Sequence, residues 1–278
     1  MKDFVKRLIV TLLSGVILVG LIVFAFHPFV NYAIAALAAI CAMIAVWEYE
    51  QLAKAKGSKM RYYALAPLTV AIVASYFASS LWPAWKNPSL FILIVSVCIF
   101  FALHFRDNDG AIVDLAVSFF GLVYIAVPIG MMLGILYHSG PLDGRYWIAY
   151  LLIVTKITDI GAYFAGSLWG KKKLAPTISP GKTVEGAIFG WICALGSSIV
   201  FYLIRHFLQN PHFELSFTTS LWLGAILGIA SQFGDLSESL LKRDAGKKDS
   251  NRLPGIGGAL DMVDSLLFTA PILYLYLL

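Results

Sequence analysis

Two aspartates, Asp261 and Asp264, stand three residues apart at the start of the last apolar stretch, GIGGALDMVDSLLF. If that stretch is a helix, the spacing places both carboxylates on one face. Left alone they would repel each other and lose hydration, so a divalent cation is their natural partner. Asp235, near the end of the preceding apolar stretch, could add a third oxygen ligand. Oxygen-only donors beside clustered cations point to magnesium. The competing reading is the preference of Asp for the positive end of a helix dipole.

The residues around these acids suit phosphate. Asp235, Glu238 and Ser239 fall within about one turn and are followed by Lys242, Arg243, Lys247, Lys248 and Asp249. Pro254 closes that connection, and Gly255, Gly257 and Gly258 permit close backbone approach. Upstream, KKKLAPTISPGKTVEGAIFG carries Ser179, Lys182 and Thr183, with Glu185 and Gly186 opening another apolar run. Hydroxyls, an ammonium and a helix N-terminus together suit a nucleotide phosphate. Gly181-Lys182-Thr183 is not a P-loop, because Pro176 stands where the leading glycine belongs and no strand is expected before it. In LLIVTKITDIGAYFAGSLWG, Lys156 and Asp159 lie one turn apart within an apolar run. An ion at mid-membrane costs about 2.5–3.5 kcal/mol, so the pair marks a site or neutralises itself.

The elements that must position these groups are membrane helices. The chain of 278 residues is 59% hydrophobic and 13% charged, outside the range of soluble domains. Apolar runs long enough to cross a hydrocarbon core recur at roughly 8–26, 29–47, 62–82, 88–105, 115–137, 146–169, 184–207, 219–241 and 257–278. The reading is an all-α, polytopic integral membrane protein of about nine spans. Residues 1–105 form an N-terminal set of transmembrane helices and 106–278 the catalytic region. The first run follows Lys2, Lys6 and Arg7 like a signal peptide. It lacks a small-residue cleavage site, and a second span follows at once, so it reads as a retained helix. Lys54, Lys56, Lys59, Arg61, Arg106, Lys171 to Lys173, Lys182 and the 242–252 cluster fall in alternate connections with the N-terminus. The opposite set holds Lys86 and Arg145. The positive-inside rule puts the N-terminus and the basic loops in the cytoplasm.

The net charge of +5 is mostly this topological signal plus contact with anionic headgroups. Short basic loops flush with a bilayer do not suit nucleic acid. Cys41, Cys98 and Cys193 are isolated in apolar runs and read as packing residues. The histidines form no metal pattern. Glu48 and Glu50, in a helix extension ending at Gly57, are expected at the interface. RDNDGAIVD, with Asp107, Asp109 and Asp114, lacks the spacing of a calcium loop and reads as a solvated connection.

Taken together, the blocks resemble a family. Ser239-x-x-Lys242-Arg243, Lys248-Asp249 and Pro254-Gly255-x-Gly257-Gly258-x-x-Asp261-x-x-Asp264-Ser265 look like the signature of phosphatidate cytidylyltransferases, also called CDP-diacylglycerol synthases. Asp159-x-Gly161-Ala162-Tyr163, Ser179-Pro180-x-Lys182-Thr183-x-Glu185-Gly186 and Gly234-Asp235-x-x-Glu238-Ser239 also match, in order. Three positions depart from the usual pattern: Ile256 replaces a His, Met262 an Arg, and Gly181 a frequent Lys.

The resemblance implies that CTP and phosphatidate react to give CDP-diacylglycerol and pyrophosphate. Asp235, Asp261 and Asp264 would hold magnesium. Lys242, Arg243 and Lys182 would clamp phosphates, while Ser179, Thr183, Glu185 and Lys248 would help to hold nucleotide. Asp159, Glu238, Ser239 and Asp249 form a second tier, Asp159 either on the metal or pairing Lys156. The expected location is the bacterial inner (plasma) membrane with the site facing the cytoplasm, and the family suggests a homodimer. Two rivals remain at this point: a CTP-dependent lipid or polyprenol kinase, and an ion-coupled transporter using Lys156, Asp159, Asp261 and Asp264 as a relay.

Overall fold

The computed structural model describes residues 15–82, 88–105, 109–138, 140–209, 211–247 and 258–278. Each expected apolar run is helical over its described part. Helix α1 covers 15–23, followed by α2 (Pro28–Ala55), α3 (Tyr62–Leu81) and α4 (Pro88–His104). Helix α5 (Ala111–Gly121) passes through a π-helical turn, Leu122–Ala126, into α6 (Val127–Leu136). Then come α7 (Gly144–Trp169), α8 (Val184–Leu208), α9 (Phe217–Asp244) and α10 (Ala259–Leu277). Lys2, Lys6, Arg7, Lys86, Arg106, Asp107 and Arg252, used in reading the topology and loops, lie outside the described residues.

Local chemistry accounts for where the helices start. Asp143, Thr183 and Ser216 cap α7, α8 and α9 by accepting the backbone N–H of Arg145, Gly186 and Thr219. Pro28 opens α2, where its missing N–H is harmless. The π turn precedes Pro128, which has no N–H to offer the Tyr124 carbonyl, and the backbone widens by one residue there.

Six helical segments among the described residues are long and apolar enough to cross a membrane: Pro28–Ala55, Tyr62–Leu81, Ala111–Leu136, Gly144–Trp169, Val184–Leu208 and Ala259–Leu277. Helix α4 is apolar but shorter. Helix α9 has the length, yet its inner side carries Ser231, Gln232, Asp235 and Glu238. Its outer side shows Trp222, Ile226, Ile229 and Phe233, all exposed and spaced as one helical stripe. The protein is thus a polytopic, mainly helical integral membrane protein. The described departure from an all-α reading is a hairpin, β1 (Lys173–Ala175) antiparallel to β2 (Ser179–Thr183). The sequence suggested only a Pro-containing loop there. The hairpin closes because the Val184 N–H bonds the Lys172 carbonyl and the Ile178 N–H the Ala175 carbonyl.

Contacts sort the connections to two ends of the bundle. At one end Lys56 pairs with Asp244 at 3.1 Å, Lys247 Nζ reaches the Gln51 carbonyl, and Arg61 reaches the Leu103 carbonyl. At the other, Arg145 bonds the Val23 carbonyl and the Asp143 N–H bonds the His212 carbonyl. The described basic connections after α2 and after α9 therefore share an end.

Three acids differ from their expected surroundings. Glu48 is fully buried and Glu50 nearly so, although both were expected at the interface. Glu50 accepts the Tyr62 N–H and pairs with Lys54 at 2.9 Å. Asp114, expected in a solvated loop, is buried and accepts the Ser58 hydroxyl and the Lys59 N–H, each at 2.8 Å. Each finds donors on another segment, and sequence-local reasoning cannot locate such donors. Asp109 does remain exposed. There the Lys59 ammonium, 2.7 Å away, holds its carboxyl below the ordinary range.

Helices α9 and α10 meet through Gly234, where an added Cβ would lie 2.5 Å from the Asp264 carbonyl oxygen. Helices α7 and α8 meet likewise at Gly190, whose Cβ would lie 2.7 Å from the Thr158 carbonyl. Gly196, also on α8, has open space around it. Gly234→Val is therefore expected to destabilise the folded protein by about 1–3 kcal/mol through overpacking. Gly196→Ala is expected to be neutral or to stabilise by up to about 1 kcal/mol. Thermal unfolding of both variants in detergent checks the contrast.

Candidate active site

A cleft of about 350 Å³ opens between α7, the hairpin, α8 and α9. Its polar lining comes from Asp159, Ser179, Lys182, Thr183, Gln232 and Asp235. Small residues, Ala162 and Gly166 among them, let the backbone of α7 form one wall. The volume falls within the range of small-molecule sites. The hairpin is what delivers Ser179 and Lys182 to it, and Arg243 steadies the hairpin by donating from Nε to the Ile178 carbonyl at 3.0 Å. Lys182 Nζ stands 2.8 Å from Asp235 Oδ2. Among the described residues the buried ammonium nitrogen makes this ion pair and no further hydrogen bond. Its donors remain available to an incoming anion.

Behind the cleft, three helices converge on one carboxylate. Asp159 Oδ1, on α7, accepts the Ser231 hydroxyl of α9 at 2.8 Å and the Ser265 hydroxyl of α10 at 3.3 Å. Lys156 Nζ lies 3.7 Å from Asp159 Oδ2 and donates to the Met262 carbonyl at 3.3 Å. Asp264 is buried beside this group, within electrostatic reach of Asp235, Lys156 and Asp159. Asp159, Asp235 and Asp264 thus form one neighbourhood with two ammonium groups, Lys156 and Lys182.

Asp261 belongs to a second group. Its Oδ1 is 2.5 Å from Lys242 Nζ and its Oδ2 accepts the Gly258 N–H at 3.0 Å. Lys242 also contacts Glu238, and the side chains of both are largely buried. Asp261 therefore performs the helix-start role weighed for it in the sequence and orients Lys242 as well. The sequence reading grouped Asp261 with Asp235 and Asp264; the structure brings Asp159 into that company and seats Asp261 against Lys242. Among the described residues, no group of three His, Cys, Asp or Glu side chains is assembled as a ready cation site.

The remaining sequence candidates divide. Ser179 and Thr183 line the cleft, Thr183 also capping α8. Glu185 engages the N–H groups of Lys171 and Lys172, tying the approach to β1 to the start of α8. Ser239 is half-buried on α9. Lys248 and Asp249 lie outside the described residues. Two groups escaped the sequence. Among the described residues, the buried hydroxyl of Tyr124, on the π turn, has no hydrogen-bond partner, nor has the buried Glu238 Oε1; Tyr124 lies in electrostatic reach of Glu238 and Asp264. Gln232 lines the cleft and donates to the Ala187 and Gly228 carbonyls. Pro128 was the available signal for Tyr124; nothing local marked Gln232.

The phosphatidate cytidylyltransferase of Chlamydia pneumoniae is 34% identical over 293 residues, covering 99% of this chain and 92% of the relative. That of Haemophilus influenzae is 30% identical over 276 residues, covering 93% and 94%. That of Synechocystis is 34% identical over 261 residues, covering 82% and 83%. The model of the cytidylyltransferase family matches residues 5–278, a span holding the cleft, both acidic groups and every helix that shapes them. The chain belongs to the cytidylyltransferase family.

Proposed function

We propose that the cleft receives the triphosphate of CTP and that the headgroup of phosphatidate meets it there while the acyl chains stay in the bilayer. The activity is transfer of the cytidylyl group from CTP to phosphatidate, giving CDP-diacylglycerol and pyrophosphate for phospholipid biosynthesis. The observation that carries the placement is the convergence of Asp159, Asp235 and Lys182 on one cleft beside buried Asp264. The kinase and transporter readings are not favoured by the relatives.

A phosphate oxygen of phosphatidate attacks the α-phosphorus of CTP. A new P–O bond forms as the bond from that phosphorus to the bridging oxygen breaks, and pyrophosphate leaves with the electron pair. A phosphate monoester is already ionised near neutral pH, so no strong base is required. The difficulty is bringing two anions together, which favours positioning and charge neutralisation. Lys182, held at the cleft by Asp235, is suited to a triphosphate oxygen. Lys242, held by Asp261 and Glu238, is suited to the second phosphate. Arg243 keeps the hairpin in place. Asp235 and Asp264 supply oxygen donors of the kind a hard cation takes, and magnesium is commonly held by one or two carboxylates together with substrate phosphates. Asp235 and Asp264, with Asp159 beside them, would hold magnesium or another divalent cation. When bound, the ion would offset triphosphate and pyrophosphate charge.

The topology follows the same reading. On this reading the chain crosses the membrane nine times, α4 and α9 included, with the N-terminus, the hairpin and the start of α10 on the cytoplasmic side of a bacterial inner membrane. The shared end of the basic connections and the outward apolar stripe of α9 support it.

Purified protein in detergent should release pyrophosphate only when CTP, phosphatidate and a divalent cation are all present; CDP appearing with a newly phosphorylated lipid would overturn the assignment. Asp264→Asn is expected to lower kcat at least about 100-fold while the thermal unfolding midpoint stays near that of the parent. Lys182→Gln is expected to raise KM for CTP by about 10- to 100-fold, the loss of a charge-assisted contact to phosphate. An unchanged KM would remove Lys182 from the nucleotide.

A further inference from the structure

Helix α2 reaches the site from the opposite end of the chain. Glu48 is fully buried, and its two carboxylate oxygens accept the N–H groups of Ala259 at 3.0 Å and Leu260 at 2.8 Å. These are the first two residues of α10. Asp261 accepts the Gly258 N–H in the same turn. Together the two acids satisfy three of the backbone donors that a helix start leaves open. An anion at this end is favoured by the helix dipole, and hydrogen bonds to an ionised acceptor are the strong kind. The last turns of α2 are fastened to neighbouring elements as well. Lys247 bonds the Gln51 carbonyl, Lys56 pairs with Asp244, and Glu50 accepts the Tyr62 N–H.

The start of α10 is therefore set by a side chain on α2, and everything in its first two turns takes its position from there. Asp261, which orients Lys242, is one residue beyond the Glu48 contact. Asp264 is one turn further. A displacement of about 1 Å at reacting groups can cost on the order of 100-fold in rate. A carboxylate that pins two consecutive N–H groups restrains both the rise and the rotation of the helix at this point.

The geometry points to Glu48 as a positioning residue for the transfer reaction, acting through the first turn of α10 on Asp261 and Asp264. The inference rests on the site reading above. It concerns no substrate contact by Glu48, whose oxygens are engaged by backbone.

The test compares Glu48→Gln and Glu48→Ala with Glu50→Gln, a change of another buried acid on the same helix that touches α3 instead. Hydrogen exchange measured by mass spectrometry over residues 259–264 reports on the helix start, and steady-state kinetics on its consequence. In Glu48→Gln, exchange over 259–264 should rise and kcat should fall about 10- to 100-fold. KM for CTP should stay within about threefold, because the cleft residues sit on other elements. Glu48→Ala should show the larger effect. Glu50→Gln should leave both the exchange of that segment and kcat near the parent. Raised exchange with unchanged kcat would make Glu48 a structural cap only and overturn the proposal. An equal loss of kcat in Glu50→Gln would overturn it too. If the parent protein releases no pyrophosphate, the activity reading is what fails, and exchange over 259–264 alone then decides whether Glu48 holds α10.

Discussion

A carboxylate inside a bundle of apolar helices must be given donors or counter-charge, and this constraint organises the molecule. Glu48, Glu50, Asp114, Glu238 and Asp264 are all buried in a protein whose outer surface is largely apolar. For Glu48, Glu50 and Asp114 the donors come from other segments: the start of α10, the start of α3, and the connection between α2 and α3. Leaving any one of them unsatisfied would cost several kcal/mol in such surroundings. The acids thus act as fasteners between helices, beside small-residue packing and neutral hydrogen bonds such as those between Tyr150 and Ser198 and from Trp191 to the Ala225 carbonyl.

The two acidic groups near the cleft meet that constraint differently. Lys242 lies between Glu238 and Asp261, and Asp261 also caps its own helix, so this group braces α9 against the start of α10. Around Asp159, Asp235 and Asp264 the pairing opens onto the cleft. Lys156 sits at 3.7 Å from its partner, and Lys182 pairs with Asp235 at 2.8 Å. Lys182 and Asp235 line the cleft, where an arriving polyanion can reach the ammonium group. That access is the basis on which we propose that the triphosphate binds at the cleft.

The front of the chain takes part in this arrangement. Its helices carry few charges, and its acids read as interfacial when only neighbouring residues are considered. In three dimensions the end of α2 meets the ends of α9 and α10, joining two parts of the chain more than 200 residues apart. The division between an N-terminal membrane region and a catalytic one describes where the motifs lie, and the hydrogen bonds cross it.

Much of the architecture was legible without coordinates, because a hydrocarbon environment demands long apolar helices and sorts basic residues to one side. Helix positions, the end of α2 at Gly57, and the blocks around Asp159, Lys182, Asp235 and Asp264 were all read from one-dimensional pattern. The hairpin at 173–183 was not, since strands this short have no periodicity to detect. Nor was the parting of Asp261 from Asp264: spacing says which face of a helix a residue occupies, not which neighbour waits there. The sequence alone determined that acids and ammoniums would stand at the ends of membrane helices. Only the tertiary structure decided that Lys242 would take Asp261, that Asp159 would join Asp264, and that Glu48 would hold the helix carrying both aspartates, because each pairing depends on a donor supplied by a distant segment.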